Sequence, residues 1–408
     1  VTTVGIIAEY NPLHNGHVHH FLEAKTVSGA DRAVVVMSGP FTQRGEPAIA
    51  GKRARTEMAL RMGADLVLEL PVAYAVQPAE WFGYGAVAVL AAAGIVDSFC
   101  FGTESGDLGP LEALADRLVL EDAELQSELA ALLGRGMSFP AAYSAAVQTV
   151  LGSGTSGAGE LLRGSNNALG LHYLIALRRL GAKIRPLTIP RRCAGFHDSA
   201  VPGASIASAT AVRKLLTDGD LSAAAGYMPD YVLDILERER EQGRFPMHWE
   251  CYGRSLLHQL AVRTDSELAG IQDVNEGLEH RLRRVLPLLP VFSVGELLDA
   301  LKAKRYTRTR LQRMLLHILL NHSRETLSPE LLARGPQYIR VLGFRESGRS
   351  LLREMKRAAA LPVVLQFPAG DQPELLLDRQ ASMAYAAGFG APGRESLFAD
   401  YLEPPVRI

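Results

Sequence analysis

The stretch Thr3-Val4-Gly5-Ile6-Ile7-Ala8-Glu9-Tyr10-Asn11-Pro12-Leu13-His14-Asn15-Gly16-His17 sets the reading of the whole chain. Thr3 to Ala8 is a short apolar run rich in β-branched residues, the pattern of a buried strand. From Gly16 to about Thr26 the periodicity becomes helical, so Glu9 to Asn15 is a loop joining a first strand to a first helix.

The same alternation continues outward. Ala33 to Met37, Asp65 to Leu70, Ser98 to Phe101 and Ala182 to Ile189 read as strands. Lys52 to Met62, Trp81 to Ala93 and Asn167 to Leu180 read as helices, and Thr210 to Leu216 as a helix start. Strands separated by helices of this length imply right-handed crossovers and a parallel sheet covered on both faces. The fold class expected is therefore α/β, a doubly wound, Rossmann-like parallel sheet over residues 1–220. Beyond Leu221 the alternation gives way to amphipathic helical stretches such as Glu276 to Leu288 and Tyr306 to Leu320, so residues 221–408 read as a second, mainly helical domain. Within it, Pro362-Val363-Val364-Leu365 and Glu374-Leu375-Leu376-Leu377 read as a small strand pair. A chain of 408 residues, 48% hydrophobic and 21% charged, suits two domains.

The formal net charge of -1 gives no global pull toward nucleic acid, so any RNA would be held by local basic patches. Cys100, Cys193 and Cys251 are too dispersed for a disulfide framework or a zinc ribbon, and a reducing cytoplasm is the expectation. No apolar run approaches the ~18 residues of a membrane span, and no leader pattern opens the sequence. Neither a membrane nor a protein partner is expected.

In an open parallel sheet, ligands bind beyond the carboxyl ends of the strands, where the loop after the first strand opens. Here that loop carries His14 and Gly16, with His17 in the first helical turn. Gly16 permits close backbone approach to a phosphate, free amides at the helix start would face an anion, and the imidazoles would donate to it. Both histidines can offset charge gathering on an α-phosphate under attack. That is phosphoryl chemistry without a nucleophilic side chain. The competing reading, of polar residues merely capping a helix, loses because of the motif's place between first strand and first helix.

Other ligand readings fall on spacing. No Gly-x-Gly-x-x-Gly follows the first strand, and no acidic residue ends the second at Met37-Ser38-Gly39, so a mononucleotide is preferred to a dinucleotide. The run Gly152-Ser153-Gly154-Thr155-Ser156-Gly157-Ala158-Gly159 lacks the lysine of a P-loop and reads as a linker, with a mobile active-site or RNA-contacting loop as the alternative. His17, His19, His20 and Glu23 do not match zincin spacing. Magnesium held partly by ATP needs no protein cage and is expected with it. At the far side of the sheet, Ser208 to Arg213 offers hydroxyls at a helix start and an arginine one turn on, a second phosphate clamp. Arg191 and Arg192, just past the fifth strand, are further candidate phosphate partners, because strand ends face the crevice.

The segments His14-x-Gly16-His17 and Ser208 to Arg213 resemble the HxGH nucleotidyltransferase superfamily, which includes pantothenate synthetase and class I aminoacyl-tRNA synthetases. A closer resemblance rests on Ala8 to His17, Val36-Met37-Ser38-Gly39, Gln43-Arg44-Gly45-Glu46-Pro47-Ala48, Asp65-Leu66-Val67-Leu68-Glu69-Leu70-Pro71 and Lys304-Arg305-Tyr306-Thr307. These look like the bacterial tRNA(Met) cytidine acetate ligases, and the agreement spans nearly the whole chain.

The resemblance implies that acetate attacks the α-phosphate of ATP to give acetyl-adenylate and pyrophosphate. The exocyclic amine of the wobble cytidine in elongator tRNA(Met) would then take the acetyl group and release AMP. Carried over by position, His14 and His17 are catalytic. The ATP site comprises Ile7, Ala8, Glu9, Tyr10, Asn11, Pro12, Leu13, His14, Asn15, Gly16, His17, Val18, His19 and His20, with Gly102, Asn166, Arg191 and Arg192, joined by Ser208.

For tRNA, Lys304, Arg305, Arg308 and Arg310 concentrate charge with Lys302 and Arg313, and Tyr306 among them offers a stacking surface. Gln43, Arg44, Lys52, Arg53 and Arg55 would approach from the catalytic side. Two readings compete with this one: an adenylyltransferase acting on a small metabolite, and a non-catalytic RNA-binding protein that keeps ATP as a regulatory ligand.

Overall fold

A computed structural model describes residues 1–120, 123–151, 164–190, 207–219, 221–368 and 373–408. The sheet begins with β1 (Thr3–Ala8), followed by helix α1 (Asn15–Ser28), β2 (Arg32–Ser38), α2 (Lys52–Met62) and β3 (Leu66–Leu70). Helix α3 (Ala79–Ala93) leads to β4 (Ser98–Thr103), and α4 (Ser165–Arg179) leads to β5 (Arg185–Pro190). These strands are parallel and lie in the order β5-β4-β1-β2-β3. The chain thus winds one way from β1 to β3 and the other way through β4 to β5. The reversal falls between β1 and β4, which opens a crevice at their carboxyl ends.

Strand side chains alternate between two cores, which explains why these strands read as unbroken apolar runs. Val4, Ile6, Val35, Met37 and Val67 pack against Phe21 and Ala24 of α1 and Met58 of α2. Val34, Val36, Leu66, Leu68 and Phe99 pack on the other face against Phe82 of α3 and Leu171 and Leu174 of α4. Helix α1 stops at Gly29, whose φ of 63° places it in the left-handed region that ends helices.

Helices α5 (Ala209–Thr217), α6 (Asp230–Glu241) and α7 (Arg308–Leu320) follow. The helical stretch 247–320 has its own core, into which Phe41, Val72 and Val76 reach from the loops after β2 and β3.

The chain beyond Leu221 is not wholly helical. Strand β6 (Ile339–Phe344) pairs antiparallel with β3, and β7 (Val363–Val364) and β8 (Val406–Arg407) pair parallel with β6, giving eight strands in one sheet. Ile339-Arg340-Val341-Leu342-Gly343-Phe344 is buried throughout, and burial on both faces suppresses the alternation that would have marked it. The expected strand pair is half corrected. Val363–Val364 is a strand, but Glu374 to Leu377 lies in α8 (Pro373–Ala386), with Pro373 at the first helical position that proline favours.

A buried charge cluster fastens α8 and the tail to the sheet. Lys52 Nζ donates to Glu69 Oε1 at 2.8 Å, to Ser382 Oγ at 3.0 Å and to Asp400 Oδ2 at 3.0 Å. Arg340 of β6 lies 3.6 Å from Asp400 and stacks over the Phe367 ring at 4.7 Å.

Candidate active site

The loop after β1 is held on every side. Tyr10, fully enclosed, adopts φ 45°, a conformation an aromatic side chain takes only when its surroundings impose it. Asn11 Oδ1 accepts from Ile49 N at 2.7 Å, and the Asn15 amide donates to Gly226 O at 3.2 Å. Arg213 of α5 donates to Asn11 O at 3.1 Å, so the Ser208 to Arg213 segment does meet the first loop across the sheet. Its contact is with the backbone, while Ser208 caps α5 by accepting from Ala211 N at 3.2 Å.

His14 is the N-cap of α1 and forms a reciprocal capping box with His17. His14 Nδ1 accepts from Gly16 N at 3.0 Å, and His17 Nδ1 accepts from His14 N at 3.3 Å. A ring whose Nδ1 accepts carries its proton on Nε2 when neutral, so each imidazole keeps Nε2–H as its donor. The rings lie 3.9 Å apart at 34°, and Tyr10 packs edge-on to His17 at 5.1 Å.

One expectation changes here. The first amides of α1 are not free, because His17 N and Val18 N donate to His14 O at 2.8 and 3.2 Å while Gly16 N serves the His14 ring. These amides are therefore already engaged within the capping box. Ile7, Ala8, Glu9, Gly16, His17, Val18, His19 and His20 are half-buried; Pro12 and Leu13 are buried behind them.

Glu9 stands just past β1. Its Oε1 accepts from Gln43 N at 2.7 Å and from Ser38 Oγ at 3.1 Å. Burial raises this carboxyl above its ordinary pKa, against the Gln43 N–H, the Ser38 hydroxyl and the charges of Arg55 and Arg213, which lower it. At the end of β4, a Cβ built on Gly102 meets nothing within 4 Å among the described residues. Asn166 lies in the first turn of α4, where its Nδ2 and N donate to Glu104 Oε1 at 2.8 and 3.1 Å. Burial raises the Glu104 carboxyl, but these bonds and that of Asn167 N outweigh it and hold it below its usual value. Arg191 and Arg192, like the glycine-rich run 152–159, lie outside the described residues.

The basic residues near this loop divide. Lys52 is consumed by Glu69 and Asp400, and Arg53 pairs with Glu403. Arg55 is fully buried and donates only to carbonyls: to Glu9 O at 2.7 Å, Ser38 O at 3.0 Å, Ala50 O at 2.9 Å, and also to Gly39 O. Neither Lys52 nor Arg55 can reach RNA: Lys52 ties α8 and the tail to β3, and Arg55 ties the loop backbones after β1 and β2 to α2. Arg44 alone of these cations is exposed.

A family profile described as HIGH Nucleotidyl Transferase matches residues 1–395. The tRNA(Met) cytidine acetate ligase of Caldanaerobacter subterraneus subsp. tengcongensis is 40% identical over 361 residues, 88% of each chain. That of Bacillus licheniformis is 39% identical over 412 residues, covering 99% of this chain and 97% of the relative. This chain belongs to the tRNA(Met) cytidine acetate ligase family. The crystal structure of Thermotoga maritima TmcAL bound with alpha-thio ATP matches with a TM-score of 0.90 at 34% identity, covering 100% of both chains. The apo form of the same protein matches equally well, at 35% identity. The chain is accordingly a ligase with the nucleotidyltransferase fold.

For a member of the tRNA(Met) cytidine acetate ligase family, the second region of interest is the start of α7. Lys302, Lys304, Arg305 and Arg308 are exposed there. The patch is less basic than its sequence suggests, since Arg305 pairs with Glu276 at 3.1 Å, Arg308 with Asp299 at 2.5 Å and Arg310 with Glu276 at 3.3 Å. Tyr306 is not an open stacking surface: it is 9% exposed, and Arg310 covers its ring at 5.0 Å.

Sequence reasoning missed the turn that bridges the two regions. Gly45, at φ 75°, lies so close to α7 that a Cβ there would come within 2.4 Å of Arg313 N. Trp249 Nε1 donates to Gly45 O at 3.0 Å, and Gln312 Nε2 to Glu46 Oε1 at 2.7 Å. The same turn supplies Gln43 N to Glu9.

Proposed function

We propose that this protein joins acetate to ATP as acetyl-adenylate and passes the acetyl group to the exocyclic amine of the wobble cytidine in elongator tRNA(Met). The observation that carries this reading is the His14 and His17 pair, locked by mutual capping at the sheet's reversal point, in a chain matched end to end by its relatives.

In the first step an acetate oxygen attacks the α-phosphorus and pyrophosphate departs. Negative charge grows on the α-phosphate oxygens, and the Nε2–H groups of His14 and His17 are the preorganised donors for it. A donor of this kind is worth roughly 10²–10³ in rate. Because the capping bonds fix both rings beforehand, no reorganisation is needed as the charge develops.

Gly102 leaves room for the nucleotide beside β4, with Asn166 close by at the start of α4, while Arg191, Arg192 and Ser208 supply the remaining phosphate and ribose contacts. Among the described residues no group of three or more His, Cys, Asp or Glu side chains is placed to hold a metal. Magnesium would therefore enter through the oxygens of ATP, where it offsets triphosphate charge.

Residues 1–220 would carry the nucleotide chemistry and the helices beyond 221 the tRNA contacts, with Lys304, Arg305, Arg308 and Arg310 meeting phosphates. No described helix is long and apolar enough to cross a membrane, and work on tRNA places the protein in the cytoplasm.

The test is incubation with ATP, labelled acetate and total bacterial tRNA, followed by nucleoside analysis. Labelled acetylcytidine is the expected product. Its absence, while ATP is bound, defeats the reading.

A further inference from the structure

We infer that Glu9 is the proton acceptor for the second step, taking the proton from the cytidine amine as it attacks the acetyl group; this rests on the function proposed above. Glu9 is the only acidic side chain in the first twenty residues. A carboxylate there is unfavourable for binding, because ATP, acetate and acetyl-adenylate are all anions. Its presence calls for a different task.

The carboxylate is divided in use. Oε1 accepts both Ser38 Oγ and Gln43 N, which fixes its orientation, whereas Oε2 accepts no hydrogen bond among the described residues. The residue is half-buried rather than sealed, at the carboxyl end of β1 where the crevice opens. Its charged surroundings are Arg55 from α2 and Arg213 from α5, with the phenol of Tyr173 facing it from α4.

The other bases in the loop are already committed. The Nδ1 lone pairs of His14 and His17 accept backbone N–H groups, and Nε2 bears the proton, so neither neutral ring can accept another.

The step needs such an acceptor because the lone pair of a cytosine amine is delocalised into the ring, which makes it a weak nucleophile. The amine nitrogen forms a bond to the acetyl carbonyl carbon. The bond from that carbon to the phosphate oxygen breaks, and AMP leaves with the electron pair. The amine proton passes to Glu9 Oε2 and then to solvent, so charge and atoms balance.

The orienting bond also has a direction. Gln43 belongs to the turn seated on α7 through Gly45, Glu46, Trp249 and Gln312. The acceptor is thereby aligned from the side on which the basic residues lie, where the proposed tRNA would arrive.

The experiment uses the full chain with Glu9→Gln, whose amide oxygen can still accept from Ser38 and Gln43. Two half-reactions are measured: acetate-dependent exchange of pyrophosphate into ATP, and single-turnover acetyl transfer from the enzyme-bound adenylate to tRNA. General-base loss costs roughly 10²–10⁴, so transfer is expected to fall at least ~30-fold more than exchange. In the unaltered protein, transfer should slow as pH falls through the Glu9 pKa, and this dependence should vanish in Glu9→Gln. Glu9→Asp, which keeps a base on a shorter arm, should recover the pH dependence with intermediate transfer.

Equal losses in both half-reactions, an unchanged pH profile, or recovery of both steps by added magnesium would each overturn the assignment, the last by making Glu9 a metal ligand. Absence of exchange in the unaltered protein would instead defeat the proposed function from which the inference starts.

Discussion

Among the described residues two pairs of histidine rings lie close together, and they are opposites. His14 and His17 sit at a helix start beside the crevice, with rings 3.9 Å apart and His17 half-buried. His317 and His322 sit at the end of α7 with rings 5.3 Å apart, both wholly buried, joined by an Nδ1 to Nδ1 contact of 3.1 Å. Burial, with the Arg313 charge adding to it, pushes His317 down to about 3, and burial with His317 beside it holds His322 well below its ordinary value. The second pair is therefore neutral at any physiological pH. Among the described residues their Nε2 atoms, like the nearby Asp273 Oδ2 and Arg313 Nε, have no hydrogen-bond partner. Proximity of imidazoles thus does not make a reactive site. What separates the pairs is burial and place: the inner rings are sealed in the helical core, whereas His17 is half-buried at the carboxyl end of the sheet.

The largest effect that would break this contrast is on catalysis. His17→Ala should lower acetate-dependent pyrophosphate exchange by roughly 10²–10³, with loss of the capping bond costing only about 1 kcal/mol of stability. Exchange measured beside a thermal melt checks both. Unchanged exchange would remove His17 from the chemistry.

The inner pair should behave in reverse. His317→Ala should destabilise the fold by about 2–3 kcal/mol through lost packing in the helical core, read by denaturant unfolding. Its activity per folded molecule should stay near that of the unaltered protein.

The pairs also separate by pH. His317 and His322 have folded pKa values below the unfolded value near 6.5. The unfolded chain therefore binds more protons than the folded one between about pH 6.5 and 3, and stability falls as pH falls through that window. The slope approaches about 1.4 kcal/mol per pH unit for each histidine. Unfolding midpoints between pH 7 and 5 should show this decline, and His317→Gln should flatten part of it.

The smallest effect is expected at α7. Arg305→Ala with Arg308→Ala should weaken tRNA binding by about 1 kcal/mol and reduce the salt slope by roughly one or two units, leaving ATP affinity unchanged. The effect is modest because Glu276 and Asp299 already offset both guanidinium groups. Filter binding at several salt concentrations measures it.

Legibility in the sequence followed the same division between local and distant. The boundaries of β1 and α1 were readable because strand propensity, the capping residues and Gly29 act within a few residues of one another. The HxGH loop could be placed in the crevice because a parallel sheet dictates where such a loop opens. Lys52, Arg55 and Tyr306 were misread as RNA contacts because type and spacing do not reveal burial. Glu9 appeared only as one member of the expected ATP stretch; its being the lone acidic residue among the first twenty was the available signal.

By itself, then, the sequence determined the alternation of strands and helices, the HxGH loop and the family resemblance, since each is written in contiguous residues or short periods. Tertiary structure alone decided the rest. Lys52 meets Asp400 across 348 positions, β6 closes on β3 from the far end of the chain, and Gln43 N donates to the Glu9 carboxylate from the turn after β2. Such contacts are chosen by the packing of the whole chain. No local pattern encodes them, because the free energy that selects them arises only when distant surfaces leave water together.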